Sequence, residues 1–118
     1  MRMQGAILFV RDLDGMLSFY RDVLGLAPLP DTRTDSWVEF ASGFCLHAVP
    51  PEVAVTIERS PASRPREESP VKLVFAVDDL AATTARLEAG GFAVSPRPWG
   101  VSDAVDPEGN VFQLRPAT

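Results

Sequence analysis

The sequence repeats one pattern, and this internal repeat limits the folds open to a chain of 118 residues. The segment VRDL at 10–13 returns as VDDL at 77–80. Farther along each copy, ASGFCLHAVP at 41–50 has the outline of DPEGNVFQLRP at 106–116. In both, a glycine opens an apolar run that closes on a proline. Self-similarity of this kind indicates two related structural units, each too small to bury its own hydrophobic face alone.

Each copy predicts the same order of elements, β-α-β-β-β. An apolar run of strand length precedes an aspartate suited to cap a helix, apolar residues then recur at helical spacing, and a glycine ends the helix. Further short strands around glycine-containing loops follow. We therefore predict an α+β fold in which two tandem modules form a curved mixed sheet around a cleft. The predicted boundaries are one domain at 1–118, comprising module one at 1–58, a Pro- and Ser-rich linker at 59–70, and module two at 71–118.

Two segments of module one are harder to assign. Residues 27–33 resemble an edge strand, but Pro28 and Pro30 interrupt it, and proline cannot donate to a strand ladder. Residues 53–58 are predicted as one more short strand.

Composition excludes several classes of function. The net charge is −5 and no basic run occurs, so binding to a nucleic acid backbone is not expected. No apolar run approaches the roughly 20 residues of a membrane helix, and no signal-peptide pattern opens the chain; we therefore expect a cytoplasmic protein that does not enter membranes. Cys45 is the single cysteine, and its apolar strand predicts a buried structural thiol.

Alternation along the strands predicts which side chains line the cleft. Leu8 and Val10 are assigned to the helix-covered face of the first strand. The cleft-facing sides of the strands in the two modules then carry Gly5, Ile7, Phe9, Trp37, Glu39, Cys45, His47, Val49, Lys72, Val74, Ala76, Val111, Gln113 and Arg115. A shift of one residue would bring Gln4 inward in place of Gly5, and because both faces of the first strand are apolar, the pattern leaves this register open.

The segments VRDLDGMLSFYRDVLGL at 10–26 and DPEGNVFQL at 106–114 make the chain recognisable. It resembles the glyoxalase, bleomycin-resistance and extradiol-dioxygenase superfamily, also called the vicinal oxygen chelate fold. The resemblance covers essentially the whole chain and is specific for the fold rather than for one activity. It implies a small-molecule ligand or substrate and a homodimer.

In metal-using members of that superfamily, four strand positions hold a divalent ion. The resemblance places them on Gly5, His47, Lys72 and Gln113. Glycine has no donor atom, lysine brings a positive charge, and glutamine is a weak neutral ligand, so the histidine alone is a good one. Neither a two-histidine, one-carboxylate site nor a four-ligand cage can be built from this set. We therefore predict no metal and no other cofactor.

The favoured hypothesis is a metal-independent binding protein of the bleomycin-resistance type, associated with antibiotic resistance. Its cleft would be lined by aromatic and apolar residues, with a few polar groups orienting the ligand. The predicted ligand-binding residues are Ile7, Phe9, Trp37, Glu39, His47, Lys72, Trp99 and Gln113. The acidic surface favours cationic aromatic ligands. The tryptophans also fit core packing or a dimer interface.

The alternative is a glyoxalase- or dioxygenase-like enzyme acting through an enolate or oxyanion. In one form, Lys72 supplies the fixed positive charge and His47 acts as acid or base; in the other, an incomplete metal site still functions. Lys72 also fits a solvated strand end or a pair with Glu39. Arg115 has two interpretations as well, an anchor for an anion at the cavity mouth or a strand end in water. The sequence identifies neither a catalytic residue nor the ligand.

Overall fold

A computed structural model describes residues 1–56 and 69–117 of the chain. The chain divides into two compact units, Met1–Glu58 and Arg59–Thr118, and each is described by itself. They are called module one and module two below. Residues 59–68 of the predicted linker, and residues 57 and 58, lie outside the described residues. Both modules combine helices with a mixed sheet, so the predicted α+β class is confirmed.

Module one is a three-stranded mixed sheet covered by a helix. The strand order is β1-β3-β2, with β1 parallel and β2 antiparallel to β3. The helix α1 continues directly into a π-helical turn over Phe19–Val23. The bounds are β1 Ala6–Val10, α1 Leu13–Ser18, β2 Trp37–Glu39, β3 Phe44–Ala48 and α2 Pro51–Ala54.

Module two is a four-stranded mixed sheet with one helix. The strand order is β4-β7-β6-β5, in which β4 runs parallel to β7 and the other pairs are antiparallel. As in module one, the first strand pairs in parallel with the last. The bounds are β4 Leu73–Val77, α3 Leu80–Ala89, β5 Val94–Arg97, β6 Val101–Val105 and β7 Val111–Pro116.

The predicted helix caps and helix-ending glycines are present in the structure. Asp12 caps α1 by accepting a hydrogen bond from the Gly15 backbone N–H at 3.0 Å, and Asp79 caps α3 in the same way. Gly25 and Gly91 follow the two helical segments with φ of 78° and 83°, a left-handed conformation that glycine adopts without steric cost.

The predicted strand at 53–58 is wrong for its described part. Residues Pro51–Ala54 form the short helix α2 instead. Proline at the first helical position has its φ already suited to a helix and lacks only an N–H that would be unpaired there, and Glu52 favours the positive end of the helix dipole. The expected edge strand at 27–33 is reduced to one bridge, Pro28 with Phe40.

Each sheet has one covered and one uncovered face, as the alternation predicts. α1 packs on β3, and α3 packs on β5 and β7. The covered faces hold fully buried side chains, Val10 and Leu46 in module one and Leu114 in module two. On the uncovered faces, Ile7, Phe9 and Val74 remain about half exposed.

This division resolves the register of the first strand. Val10 is fully buried on the covered face, whereas Ile7 and Phe9 lie on the uncovered one. The alternative register, which would turn Ile7 and Phe9 toward the helix, is not adopted. No helix among the described residues is both long enough and apolar enough to cross a bilayer.

A pair of substitutions in module one tests the assignment of the two faces. Leu46→Ala removes a side chain with 0% exposure and should lower the free energy of unfolding by about 2–5 kcal/mol. Ile7→Ala truncates a side chain that is 51% exposed and should cost only about 1 kcal/mol. Urea denaturation followed by circular dichroism measures both. Equal losses would contradict the assignment.

Candidate functional site

The uncovered face of module one carries an aromatic group around His47. Phe9 lies opposite His47 on the parallel neighbour strand, with ring centroids 5.8 Å apart. Trp37 lies opposite on the other side, edge-on at 5.5 Å. Three of the predicted site residues are thus brought together, and Ile7 and Glu39 both flank Cys45 on the same face. The imidazole lies between two rings rather than beside a carboxylate.

Cys45 is buried, with 6% of its surface exposed, and its thiol contacts the Gly43 carbonyl oxygen at 3.8 Å. Burial raises the pKa of this thiol, and the negative charge of Glu39 raises it further. Both effects keep sulfur protonated. The predicted structural role fits these surroundings, because a reactive cysteine needs its thiolate.

The uncovered face of module two is organised by Asp103, which the sequence analysis did not single out. Its side chain is 5% exposed, and a single oxygen, Oδ2, accepts hydrogen bonds from Lys72 Nζ and Arg97 Nε, both at 2.9 Å. A buried charge is tolerated only when it is paired and hydrogen-bonded. Lys72, a predicted ligand-binding residue whose alternative was a solvated strand end or a pair with Glu39, is held by this carboxylate.

The charge state of Asp103 follows from two opposing effects. Burial favours the neutral acid, but hydrogen bonds from Lys72 and Arg97, the charge of Lys72, and a hydrogen bond from Gln113 outweigh it and hold the pKa of Asp103 below its ordinary value. The group is therefore a carboxylate at neutral pH.

Gln113 extends the network toward Arg115. Its amide nitrogen Nε2 donates to Asp103 Oδ1 at 3.4 Å, and its amide oxygen accepts a hydrogen bond from Arg115 Nε at 2.6 Å. The amide thus turns its positive end toward the carboxylate and its negative end toward the guanidinium. This arrangement fixes both the glutamine and the arginine side chain.

These side chains border an open pocket of about 730 Å³. That volume lies within the range of sites for small organic ligands, roughly 300–1,000 Å³. The pocket is contained in module two, and its lining residues are Lys72, Arg97, Pro98, Trp99, Val101, Asp103, Gln113, Arg115 and Pro116.

Trp99 is the most unusual of these residues. It adopts a left-handed backbone with φ of 69°, and 92% of its surface is exposed. A bulky residue in this conformation is rare and costs on the order of 1–3 kcal/mol. Core packing, one of the alternatives for this residue, is contradicted by its exposure. Its left-handed conformation belongs to the turn that joins β5 to β6, and that turn does not require a tryptophan. A dimer interface, the other alternative for this residue, remains a prediction.

The sign of the charge in the pocket is opposite to that of the whole chain. The net charge of the protein is −5, but the pocket is lined by three cations, Lys72, Arg97 and Arg115, and one carboxylate, Asp103. Local charge decides what a pocket attracts at short range. The expectation of a cationic ligand, drawn from overall charge, does not suit this pocket.

The four family metal positions do not fit a divalent cation. At Gly5, even a Cβ atom would lie 2.1 Å from the Gly43 carbonyl oxygen, so the position admits no ligand side chain. Lys72 is an ammonium bound to Asp103, and both ends of the Gln113 amide already make hydrogen bonds. His47 contacts aromatic rings. In the described part of the chain, no three His, Cys, Asp or Glu side chains come together in a metal-binding group.

The pairing of strands shows a further difference between the modules. Phe9 pairs with His47 in module one, whereas Val74 pairs with Gln113 in module two. Two residues earlier along these first strands lie Ile7 and Lys72, respectively. By this register the counterpart of Lys72 is Ile7, whereas the offset of 67 residues between VRDL and VDDL would make it Gly5. Neither residue supplies a metal donor.

Comparison with known proteins gives a family and several related structures. The family model of the Glyoxalase/Bleomycin resistance protein/Dioxygenase superfamily matches residues 2–114. No protein of curated function has a matching sequence. A protein of unknown function from Agrobacterium tumefaciens is 30% identical, with a TM-score of 0.70 over 97% of this chain and 92% of that one.

Two further structures come from Streptomyces sp. CB03234. The antibiotic binding protein TnmS3 is 25% identical, with a TM-score of 0.65 over 100% of this chain and 97% of that one. A glyoxalase/bleomycin resistance protein is 27% identical, with a TM-score of 0.59 over 94% and 98% of the respective chains. Both matches span essentially whole chains, so the similarity concerns the complete fold.

The Asp103 network predicts acid sensitivity. Because the pKa of this carboxyl is lower in the folded than in the unfolded chain, its stabilising contribution is complete above the unfolded value, about 3.9, and is lost as the pH falls through the folded value. Asp103→Asn should lower the free energy of unfolding at pH 7 by about 1–3 kcal/mol, since two cations lose their partner. The stability of Asp103→Asn should also fall less steeply than that of the parent protein as the pH is lowered.

Urea denaturation at a series of pH values measures both effects. Asp14→Asn is a matched control, because the Asp14 side chain is 86% exposed in its pair with Arg33 and such pairs contribute little. Parallel acid profiles for Asp103→Asn and the parent protein would contradict the role given to Asp103.

Proposed function

The chain belongs to the Glyoxalase/Bleomycin resistance protein/Dioxygenase superfamily, and we propose that it is a metal-independent binding protein for a small planar molecule. The ligand site is the pocket of module two. The observation that carries this proposal is Trp99, an exposed tryptophan held in an unfavourable backbone conformation at the pocket. The turn between β5 and β6 requires a left-handed backbone but not a tryptophan, and unfavourable backbone conformations of this kind cluster at ligand sites.

The pocket has the parts that such a ligand needs. The indole ring of Trp99 offers a flat face for stacking, and aromatic contacts suit planar molecules. Lys72, Gln113 and Arg115 supply polar groups that orient the ligand, and the network around Asp103 holds them in place before binding. The similarity to two Streptomyces proteins, an antibiotic binding protein and a glyoxalase/bleomycin resistance protein, supports a binding role of the antibiotic-sequestering type.

Metal independence is part of the proposal. Its support is the chemistry of the residues at the family's metal positions. Three of the four are a glycine, a lysine paired with Asp103 and a glutamine whose amide oxygen is hydrogen-bonded to Arg115, and these replace metal ligands. The module-one residues Ile7, Phe9, Trp37, Glu39 and His47 remain predicted ligand contacts on their own face. A homodimer and a cytoplasmic location likewise remain predictions.

The alternative is catalysis with Lys72 as the fixed cation. Its specific support is that the ammonium group lines the pocket and is held there by its ion pair with Asp103, so it could stabilise an oxyanion. The residues of module two that line this pocket include no histidine, so they offer no acid or base of the predicted kind. Binding without turnover is therefore favoured.

Trp99→Asn tests the binding role of the exposed ring. Asparagine tolerates the left-handed conformation better than tryptophan, and little buried surface is lost. We expect stability to stay unchanged or rise by up to about 1 kcal/mol, while affinity for planar ligands falls at least tenfold. A tryptophan that served stability would give the opposite result.

Isothermal titration calorimetry compares the affinities of the parent protein and Trp99→Asn, and the indole N–H resonances in ¹H–¹⁵N spectra locate the contact, because the chain has two tryptophans. The resonance of Trp99 in the parent protein is identified as the one that disappears in Trp99→Asn. The probes are 2-naphthoate, 2-naphthyl phosphate, 2-naphthamide and 2-naphthylmethylammonium, which share one ring system and differ in charge. At least one should shift the Trp99 resonance in the presence of a chelator. Silence from all four would overturn the proposal, and a requirement for metal would overturn its metal independence.

Recovery of the bound molecule distinguishes binding from catalysis. A probe that binds should be recovered unchanged after prolonged incubation at 25 °C, as analysed by mass spectrometry, because the proposed site holds its ligand without transforming it. A product that forms with the parent protein and not with Lys72→Met would instead establish the enzymatic alternative.

A further inference from the structure

The pocket of module two holds positive charge that its own residues leave unneutralised. Lys72 and Arg97 share one carboxylate, that of Asp103, and both donate to the same oxygen atom. Arg115 adds a third positive charge to the lining. Three cations against one carboxylate leave an excess of two positive charges, at a site where a ligand is proposed to bind.

Arg115 differs from the other two cations in its partner. Its guanidinium Nε donates a hydrogen bond to the neutral amide oxygen of Gln113 at 2.6 Å. No carboxylate among residues 1–56 and 69–117 pairs with it. A guanidinium has five N–H groups, and this hydrogen bond uses one. The terminal nitrogens keep the forked donor pair that matches an oxyanion.

The position of Arg115 is fixed by the network behind it. Asp103 orients the Gln113 amide, and the amide oxygen then holds Nε of the guanidinium. The side chain would otherwise be free at an exposed strand end. Because the Asp103 charge is satisfied by Lys72 and Arg97, it is not available to neutralise the guanidinium by direct pairing. The structure thus holds an unpaired cation in place beside the pocket.

We infer that the ligand of this pocket carries an anionic oxygen group, which binds the terminal nitrogens of Arg115 with support from Lys72, while its planar part lies against Trp99. This inference rests on the proposed function and adds the chemical class of the ligand. The shared chemistry is a carboxylate or a phosphate, since the guanidinium fork binds either one. Planar cations are excluded from the site by the same charges.

The four naphthyl probes separate this inference from the proposed function. Isothermal titration calorimetry at pH 7 should give 2-naphthoate or 2-naphthyl phosphate an affinity at least tenfold above that of 2-naphthamide. The ammonium compound should bind more weakly than the amide. The tighter of the two anions identifies the favoured oxyanion. Equal affinities for anion, amide and ammonium would overturn the inference while leaving the binding function intact. No binding by any probe would overturn both.

Arg115→Gln locates the anion. We expect it to weaken binding of the better anionic probe at least tenfold and to leave 2-naphthamide unchanged. Arg115→Lys should retain part of the preference, because it keeps the charge but loses the fork. Arg86→Gln is the matched control. Arg86 is an exposed residue in the last turn of α3, so its substitution removes the same charge outside the pocket. The affinities of Arg86→Gln should equal those of the parent protein.

Thermal unfolding of each variant confirms that the exposed substitutions leave the fold intact. An Arg115→Gln protein that binds the anionic probe as tightly as the parent would overturn the assignment. Equal losses from Arg115→Gln and Arg86→Gln would also overturn it, because the preference would then reflect overall charge.

Discussion

A carboxylate with almost no exposure to water sits in the middle of the module-two sheet, and the arrangement of the pocket depends on it. Asp103 can remain ionised there only because cations and amide hydrogens surround it. Its hydrogen bonds hold Lys72, which lies just before β4, and Arg97, which ends β5, and they orient the Gln113 amide. That amide in turn holds Arg115. One buried charge therefore sets the positions of four side chains around the pocket.

The exposed apolar groups show where the chain departs from ordinary packing. Ile7, Phe9 and Val74 leave about half of their surface in water, and Trp99 leaves nearly all of it. Single exposed apolar residues are common, but Trp99 combines exposure with an unfavourable backbone angle. Natural sequences are locally consistent except at functional sites. Trp99 departs from ordinary packing in its exposure and from ordinary backbone preference in its φ. It is therefore stronger support for a binding site than the other exposed side chains.

Local features of the fold were predictable from the sequence, and the features that join distant residues were not. Alternation placed Ile7, Phe9 and Val74 on the uncovered faces, and the Asp caps and terminal glycines delimited the helices. These signals act over a few residues. The helix at Pro51–Ala54 was missed because four residues, of which one is a proline and one is Glu52, carry too little periodicity to distinguish helix from strand. The two-residue difference in strand pairing is likewise invisible to an alignment that matches glycines and caps.

The site was predictable only in part, and for a related physical reason. Lys72, Gln113 and Trp99 were named because they sit at recognisable strand or loop positions, but Asp103 was not, since its partners lie 31 and 6 residues away in the chain. A signal was nonetheless available. Trp37 pairs with His47 just as Asp103 pairs with Gln113, so the two residues occupy matching places in their hairpins. In module one that place holds an indole ring, which packs against an imidazole; in module two it holds a charge, which must be compensated. The ionic network therefore has no counterpart around His47, and the two uncovered faces differ in chemistry although the strands beneath them share the same parallel and antiparallel pairing. A ligand with one apolar plane and one anionic end matches the module-two face, where the aromatic ring and the cations stand side by side.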